Sequence, residues 1–518
     1  MMTDLSKKTE VLIVGAGPTG LALACQLIRY GIEFVIIDKK ETTTPYSKAI
    51  GVQARTLEIY EQIGLADKLV DLGWKAGKAR MIVGGEKRGE LDFTDIGKGL
   101  SDYPFVLLVE QGLHEKLVYD FITSNGKDVR WQTELESFTQ DDSGVTAKIK
   151  NSNGEIENIE AKFLVGCDGS KSVVRHGLGL TFEGMTFERM FYVADVVIDW
   201  EYKNDALMVF LMKSNLLAFF PMVGNNTWRI VGTFPEEFSK DEGDVLYEEI
   251  EEQIKRDAEL KLDITKVNWF STYKVHTRHV NKFSKGRCFM AGDSAHIHTP
   301  AGAQGMNTGI QDGYNLAWKL AMVLRGVATA TILETYNEER LENAENLLKT
   351  TDRFFNLVAS PEPVLTYLRM HVFPYIAGVA FSIDAVKKFV FPRISQIAIN
   401  YRHSSLSQHA GDDGVDVKAG DRLPYFLVEG RSVFDMLREP KFHLLTFVDG
   451  KDEGKSEDLS ESFDAIVDRQ TVPLYPHVAE LFGVDKTFNV LLRPDNYIAM
   501  ISHESSLAPI QDYLKGCL

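Results

Sequence analysis

Val11-Leu12-Ile13-Val14-Gly15-Ala16-Gly17-Pro18-Thr19-Gly20 stands near the start of the chain, and its reading decides the fold. Four apolar residues in a row suit a short buried strand, a glycine-rich turn follows, and Leu21 to Tyr30 repeats apolar residues at helical spacing. A second apolar run, Phe34 to Ile37, ends at Asp38. Strand, helix and strand in that order predict a βαβ unit and an α/β fold. The glycines of the turn serve separate steric needs. Gly15 permits the bend, Gly17 lets a pyrophosphate approach the backbone, and Gly20 lets helix pack on strand. The helix N-terminus offers unpaired N–H groups to phosphates. Asp38, about 20 residues on, can accept hydrogen bonds from both hydroxyls of an adenosine ribose and would repel a 2′-phosphate, which favours FAD or NAD over NADP. Gly15, Gly17, Pro18 and Gly20, with Asp38 and its neighbour Lys39, are therefore the expected nucleotide contacts. A glycine-rich turn alone is a weak signal, and this one does not separate FAD from NAD.

The bulk composition is that of an ordinary soluble globular protein, with 44% hydrophobic and 25% charged residues. A length of 518 residues predicts two or three domains. The net charge of −17 argues against nucleic acid and anionic membrane as partners, because both need clustered positive surface; it favours a small-molecule substrate and leaves self-association open. Cys25, Cys167, Cys288 and Cys517 make no CxxC or Cys/His ligand spacing, which predicts reduced thiols and a cytoplasmic setting. Met1 to Lys8 is polar and leads directly into a strand, leaving no room for a signal peptide. The longest apolar stretch, Val372 to Ile383, falls short of the roughly 20 residues that span a bilayer and reads as a core helix.

Other strands of the nucleotide-binding fold are scattered. Phe163 to Val165 and Cys288 to Met290 are apolar runs that also stop at acidic, Gly-flanked turns. A discontinuous domain is expected, made of residues 1–75, 104–185 and 276–400, with Asn315 to Leu324 and Thr331 to Lys349 its clearest helical stretches. Residues 76–103 and 186–275 have a different texture. There Met190 to Trp200, Leu207 to Met212, Leu216 to Met222 and Thr227 to Thr233 are β-branched and aromatic runs between Gly, Asn and Pro turns. They predict an inserted antiparallel-sheet substrate domain that could roof the nucleotide. Phe210, Phe219, Phe220, Pro221, Met222 and Trp228 are candidates for its substrate wall, although apolar strand residues are more often plain core. Past Tyr401, the Gly/Asp-rich stretch His409 to Asp421 reads as linker. Within residues 401–518 a small α/β unit is expected, with strands at His443 to Val448 and Asn489 to Leu492 and a helix near Ser462 to Asp468.

Two segments separate FAD from NAD: Gly166-Cys167-Asp168-Gly169-Ser170-Lys171-Ser172-Val173-Val174-Arg175 and Arg287-Cys288-Phe289-Met290-Ala291-Gly292-Asp293-Ser294-Ala295-His296. They resemble the DG and GD fingerprints of the flavoprotein aromatic hydroxylases, the p-hydroxybenzoate hydroxylase-like class. The likeness continues through Pro300-Ala301-Gly302-Ala303-Gln304-Gly305-Met306-Asn307-Thr308-Gly309 and through Asp312, Asn315, Leu316, Trp318 and Lys319. Ala419-Gly420-Asp421-Arg422-Leu423-Pro424 and Leu491 to Ala499 are similar to the thioredoxin-like C-terminal extension of the phenol and polyketide hydroxylase branch, here with no CxxC.

The resemblance implies a Rossmann-like FAD-binding domain, the inserted substrate sheet and a thioredoxin-like third domain. It places Gly292 and Asp293 at the flavin ribityl chain, where a helix-capping Asp is the competing reading. Pro300 would shape the C4a edge of the flavin, while Gly305, Met306 and Asn307 would bring backbone N–H groups and a helix N-terminus to its pyrimidine edge, stabilising the anionic reduced ring. Asp168 and Arg175 match residues serving FAD and the transient nicotinamide; a capping Asp with an Arg partner competes. Arg55 and Gln111 match further FAD contacts, against a surface salt bridge and a polar residue opening a helix. His276, His279, His296 and His298 lack the carboxylate or thiolate cluster that would complete a metal site, so no metal is expected.

The implied activity is an FAD-dependent NAD(P)H monooxygenase acting through a flavin C4a-hydroperoxide on a phenolic or polycyclic polyketide-like ring, with NADH or NADPH and dioxygen as co-substrates. Because the cofactor carries the hard chemistry, no acid/base residue is named as catalytic. Baeyer–Villiger oxygen insertion, epoxidation and a non-oxygenating flavoprotein stay open as alternatives.

Overall fold

The computed structural model describes residues 8–45, 49–213, 215–235, 238, 240, 244–299, 301–360, 362–410, 416–450, 459–503 and 506–518, with backbone only for residues 187, 188, 301, 352 and 354–359. Three larger sheets organise the chain.

In the first sheet, five parallel strands lie in the order Cys288–Met290, Ile156–Gly166, Lys8–Val14, Phe34–Ile37 and Val129–Arg130, with Ser284–Lys285 antiparallel at the edge. The central strand is buried on both faces, which is why Val11 to Val14 is a continuous apolar run rather than an alternating one. Helices Pro18–Arg29 and Gly305–Leu324 pack on each other beside this sheet; the first buries mainly Leu and Ala, and the second is buried from Asn307 to Met322, polar residues included.

The second sheet has eight strands and draws on both segments expected to form it, with Lys78–Val83 and Glu86–Asp92 joining Phe182–Asp199, Leu207–Leu211, Leu216–Pro221, Thr227–Thr233 and Asp263–Val280. Two long strands overrun the expected edges at 186 and 275, pairing from Phe182 with Val280 to Asp199 with Asp263. It is also not wholly antiparallel. Leu207–Leu211 runs parallel to Lys78–Val83, because the Lys78–Asp92 hairpin enters from an earlier part of the chain and is not bound by a hairpin connection.

The third sheet is mixed, ordered Gln408–Ala410, Ile498–Ser502, Phe488–Leu492, Phe442–Val448 and Val467–Pro473. Here the helix expected near Ser462 to Asp468 is replaced by a single 3₁₀ turn, Glu461–Phe463, and then a strand. In Val467–Pro473 the buried Val467 and Val472 flank partly or fully exposed polar residues, and all seven residues pair with Phe442–Val448. Pairing with a ready neighbour overrides a weak local helical pattern. Part of the expected linker is likewise ordered: Gln408 to Ala410 pair with Met500 to Ser502, while residues 411–415 lie outside the described residues.

A second correction concerns the longest apolar stretch. The Phe373–Phe381 helix lies against the Glu86–Asp92 strand, yet only Pro374 and Ala377 of it are buried, and Tyr375, Ile376 and Val379 are more than half exposed. A helix apolar all round can bury only the side that meets the sheet.

Candidate active site

Register brings the scattered motifs together. Val14, Gly166 and Met290 are aligned across three parallel strands, and Val14 is aligned with Ile37 on the other side. Gly15, Asp38, Cys167 and Ala291 therefore leave the sheet side by side, at the carboxyl edge where open α/β sheets bind ligands. The turns are laced to one another: Gly15 N–H donates to the Ile37 carbonyl at 2.8 Å, Cys167 N–H to Val14 at 2.7 Å, and Ala291 N–H to Gly166 at 3.0 Å.

The first turn has the steric form its glycines require. Gly15 has φ +107°, and a Cβ on it would stand 2.3 Å from the Cys167 carbonyl oxygen; one on Gly20 would stand 1.9 Å from that of Gly15. Beside Gly17 nothing lies within 4 Å, which leaves the approach a pyrophosphate needs. Pro18 opens the helix at a position where its missing N–H costs nothing. Asp38 accepts from Ala16 N–H at 2.7 Å and from Lys40 N–H at 2.8 Å, so the acid also pins the glycine turn. Lys39 is exposed, and its neighbour Lys40 reaches back, 3.8 Å from both Asp38 and Glu115.

In the DG segment both readings of Asp168 meet. One carboxylate oxygen caps the short Val173–Leu178 helix, accepting from Val173 N–H at 2.7 Å and Val174 N–H at 3.2 Å, while the other is buried with no hydrogen-bond partner. Burial raises this carboxyl above its ordinary range against hydrogen bonds that pull the other way. Arg175 does not pair with it through a hydrogen bond; it donates to the carbonyls of Ser294 and Ser170, tying the DG loop to the GD turn, and lies 4.0 Å over the Phe182 ring.

The GD turn rests on a buried ionic chain. Asp312 accepts from Gly292 N–H at 2.8 Å and contacts His296 Nε2 at 2.8 Å, and its other oxygen accepts from Arg340 Nε at 2.6 Å. Arg340 goes on to Tyr401 Oη and the Thr308 carbonyl. Burial acts to raise the Asp312 carboxyl, but Arg340 and His296 outweigh it and hold the group below its ordinary range. Asp293 is exposed within the 3₁₀ turn Gly292–Ser294, whose cap position is Ala291, so it is not an N-cap. His296 is thus a partner of Asp312. His276 contacts Thr186 instead and His279 the Val280 carbonyl.

Gly305 and Met306 begin the Gly305–Leu324 helix as expected, and His298 Nε2 would be 3.1 Å from a Cβ on Gly305. The Asn307 side chain is occupied elsewhere. It accepts from Gln53 N–H and Thr56 Oγ1 and donates to the carbonyls of Gly51 and Ala303, so only its backbone is left for a ligand. Gln111 holds the same region from the other side, accepting from Ala49 N–H and donating to Glu115. Pro300 lies outside the described residues. Arg55 is not the surface salt bridge of its competing reading: it is 1% exposed, paired with Glu58 at 3.1 Å and with the Asp495 carbonyl at 2.8 Å, and it packs over Tyr497. That partner from the far end of the chain, invisible to local pattern, ties it to the segment beside the third sheet.

The loops fit a flavin dinucleotide. Besides the open approach at Gly17, Asp168 Oδ1, Gln53 Oε1, His298 Nε2 and Thr299 Oγ1 are buried polar atoms without a hydrogen-bond partner, a concentration that a polar ligand relieves. The sequence matches the family model described as FAD binding domain over residues 8–351. It is 31% identical to the 6-methylpretetramide 4-monooxygenase of Streptomyces rimosus, covering 98% of this chain and 93% of that one. Pentachlorophenol 4-monooxygenase of Sphingobium chlorophenolicum is 29% identical, with 95% and 94% covered. Among solved structures, the OxyS anhydrotetracycline hydroxylase from Streptomyces rimosus superposes with a TM-score of 0.77 at 26% identity, covering 98% of this chain and 99% of that one. The chain belongs to the FAD-dependent aromatic hydroxylases.

In this hydroxylase the second sheet turns two different faces outward and inward. Phe210, Phe219 and Trp228, three of the expected wall residues, pack together on the face covered by the Tyr247–Ala258 helix and are core. Strand alternation sends their neighbours the other way. Phe220 and Met222 join Ile50 and Leu108 of the first unit, while Phe191 and Tyr273 stack with centroids 5.8 Å apart. Pro221 is buried, paired in register with Trp228.

Sequence reading missed the charges on this inward face. Arg229 is 1% exposed and forms two 2.7 Å bonds to Asp195, with Nη1 donating to the Ala49 carbonyl. Glu110, half-buried at the start of the Gln111–Ser124 helix, has its carboxyl raised above the ordinary range by burial and then by the charge of Asp195, with Arg229 opposing. The alternation of Trp228, Arg229 and Ile230 was available as a signal. An arginine between two core residues of a strand must face away from them.

Proposed function

We propose that this hydroxylase binds FAD in a Rossmann-like site along the carboxyl edge of its first sheet. Gly15, Gly17, Pro18 and Gly20 take the pyrophosphate, Asp38 and Lys39 the adenosine ribose, Gln111 and Asp168 the stretch between, Gly292 and Asp293 the ribityl chain, and Pro300, Gly305, Met306 and the Asn307 backbone the ring. When bound, the flavin takes reducing equivalents from NADH or NADPH and activates dioxygen. The protein's own part is to position, to exclude water and to place charge. The N-terminus of Gly305–Leu324 presents positive dipole toward the ring. The inward face of the second sheet, with Phe191, Phe220, Met222 and Tyr273, seats an aromatic substrate. Glu110, whose carboxyl holds its proton more firmly than usual, is placed to exchange a proton with a phenolic hydroxyl there.

The observation that carries this reading is the inward aromatic face beside a buried ion pair, joined through Arg229 and Ala49 to the short strand Gly51–Val52 and so to Asn307. The tetracycline-type monooxygenases among the relatives favour a polycyclic phenol over a single ring. The third sheet belongs to a thioredoxin-like extension without CxxC, which braces the flavin unit through Arg493: this residue bonds Glu339 at 2.6 Å and Asp495 at 2.5 Å. The test is oxidation of NADH and NADPH by the purified flavoprotein under air, with single-ring and polycyclic phenols, following peroxide and product mass together. Faster oxidation with a product heavier by one oxygen is expected for a polycyclic phenol; slow oxidation with peroxide for every compound overturns the substrate assignment.

A further inference from the structure

We propose that the helices Pro363–His371, Phe373–Phe381 and Asp384–Ile394 form a seat for an anionic lipid surface, on which the enzyme docks without crossing it. Nine of the seventeen exposed large hydrophobic residues among those described fall between Val364 and Phe389. Val364 is 69% exposed, Tyr367 62%, Val379 68% and Phe389 61%. Such a concentration marks a surface meant to be covered, since monomers otherwise scatter exposed apolar groups.

The shape of the patch excludes a span. No single described helix is long and apolar enough to cross a membrane, and the first two helices, which pass that test only together, meet at a bend of 57°. Pro374, in the first turn of the second helix, cannot continue the hydrogen bonding of the first. One side of the pair is already committed. Arg369 donates to the carbonyls of Met212 and Lys213, and Pro374 and Ala377 are buried, the Pro374 carbonyl seated over Gly89 of the second sheet. What remains is an apolar, aromatic surface able to lie in a headgroup layer.

Charge chooses the occupant. Apart from the committed Arg369, Pro363 to Ile394 has three basic residues, Lys387, Lys388 and Arg393, against one acid, Asp384, a net +2 inside a chain of −17. Lys388 and Arg393 are exposed beside Phe389. A symmetric contact with a second copy would oppose these cations to themselves. An anionic lipid surface complements them over the short range that salt leaves unscreened, whereas the acidic remainder of the protein is kept at a distance. The seat also abuts the flavin end: Gln304 Nε2 donates to the Ile394 carbonyl at 3.0 Å just before the Gly305 helix. The inference goes beyond the hydroxylase reading, and its test does not depend on turnover.

The experiment is flotation of the intact flavoprotein with vesicles of phosphatidylcholine alone and with vesicles of two parts phosphatidylcholine to one part phosphatidylglycerol, with sedimentation velocity in the absence of lipid. Wild type is expected to float with the mixed vesicles and to be released by salt. Ile376→Ser with Val379→Ser should cut binding by about tenfold or more. Lys388→Glu with Arg393→Glu should also weaken it and flatten the salt dependence. Both pairs change exposed side chains, so flavin content and melting temperature should stay those of wild type. Absence of flotation with either vesicle overturns the proposal, as does equal flotation of wild type and the Ile376/Val379 variant. So does a dimer that the apolar substitutions dissociate, since the face then belongs to a second copy.

Discussion

The two regions on either side of the proposed flavin site are held by different forces. Under the Gly292–Asp293 turn lies the buried pair Asp312–Arg340, and beyond it a second buried group in which Glu339 pairs with Lys319 and Arg493, and Arg493 with Asp495; all six side chains are 0% exposed and the pairs measure 2.5 to 2.8 Å. Opposite it, the inward face of the second sheet is aromatic and carries one full ion pair, Arg229 with Asp195, and one half-buried acid, Glu110. Directional bonds give a fixed geometry to the side proposed to hold the cofactor. Non-directional aromatic contact suits the side proposed to receive a substrate. The difference teaches that, on this reading, ordered polar geometry is concentrated where the ligand never changes.

Breaking the ionic side should have the largest effect. Arg340→Met leaves Asp312 buried without its main counter-charge, and a loss of about 3–5 kcal/mol is expected, read as a lowered melting temperature, together with loss of the yellow flavin on purification. A variant that keeps its flavin and its stability would show that the turn is self-supporting. On the aromatic side the two strand faces should behave differently. Phe219→Ala empties a fully buried core position and should cost about 3–5 kcal/mol with little change in substrate selectivity. Phe220→Ala should cost much less stability and instead increase peroxide release per nicotinamide oxidised; the reverse pattern would mean that the faces are assigned the wrong way round.

Glu110→Gln is expected to lower phenol turnover by about a hundredfold and to remove the acidic limb of its pH profile, with substrate-free nicotinamide oxidation unchanged. At neutral pH the smallest effect is that of two buried histidines, which grows only as the pH falls. Burial pushes the imidazoles of His298 and His114 down from 6.5 to about 4. Both stay neutral when folded, while the unfolded chain takes up their protons near 6.5. Their contribution is therefore full above pH 6.5 and declines as pH falls toward 4, by up to about 1.4 kcal/mol per pH unit for each histidine. Melting curves across that window should show the slope, and His298→Gln should remove its own share.

Local pattern made much of this legible. The Gly15 to Gly20 turn, the strands ending at Asp38, Asp168 and Gly292, and the Thr227 to Thr233 strand stand where their residues place them, because each rests on short-range steric or periodic rules. The Ser462 to Asp468 segment escaped because its structure depends on pairing with Phe442–Val448. Arg55 escaped because Asp495, its partner, is 440 residues away in sequence.

By itself, then, the sequence determined the nucleotide turn, the order of the strands, the family and the kind of chemistry, since those follow from glycine conformational freedom, strand periodicity and motif identity. Only the tertiary structure decided which aromatic residues face inward, which charges hold the GD turn, and that the Val372 to Ile383 stretch stands largely exposed. These depend on what each side chain meets across the fold, and burial and pairing are properties of neighbours that local sequence does not name.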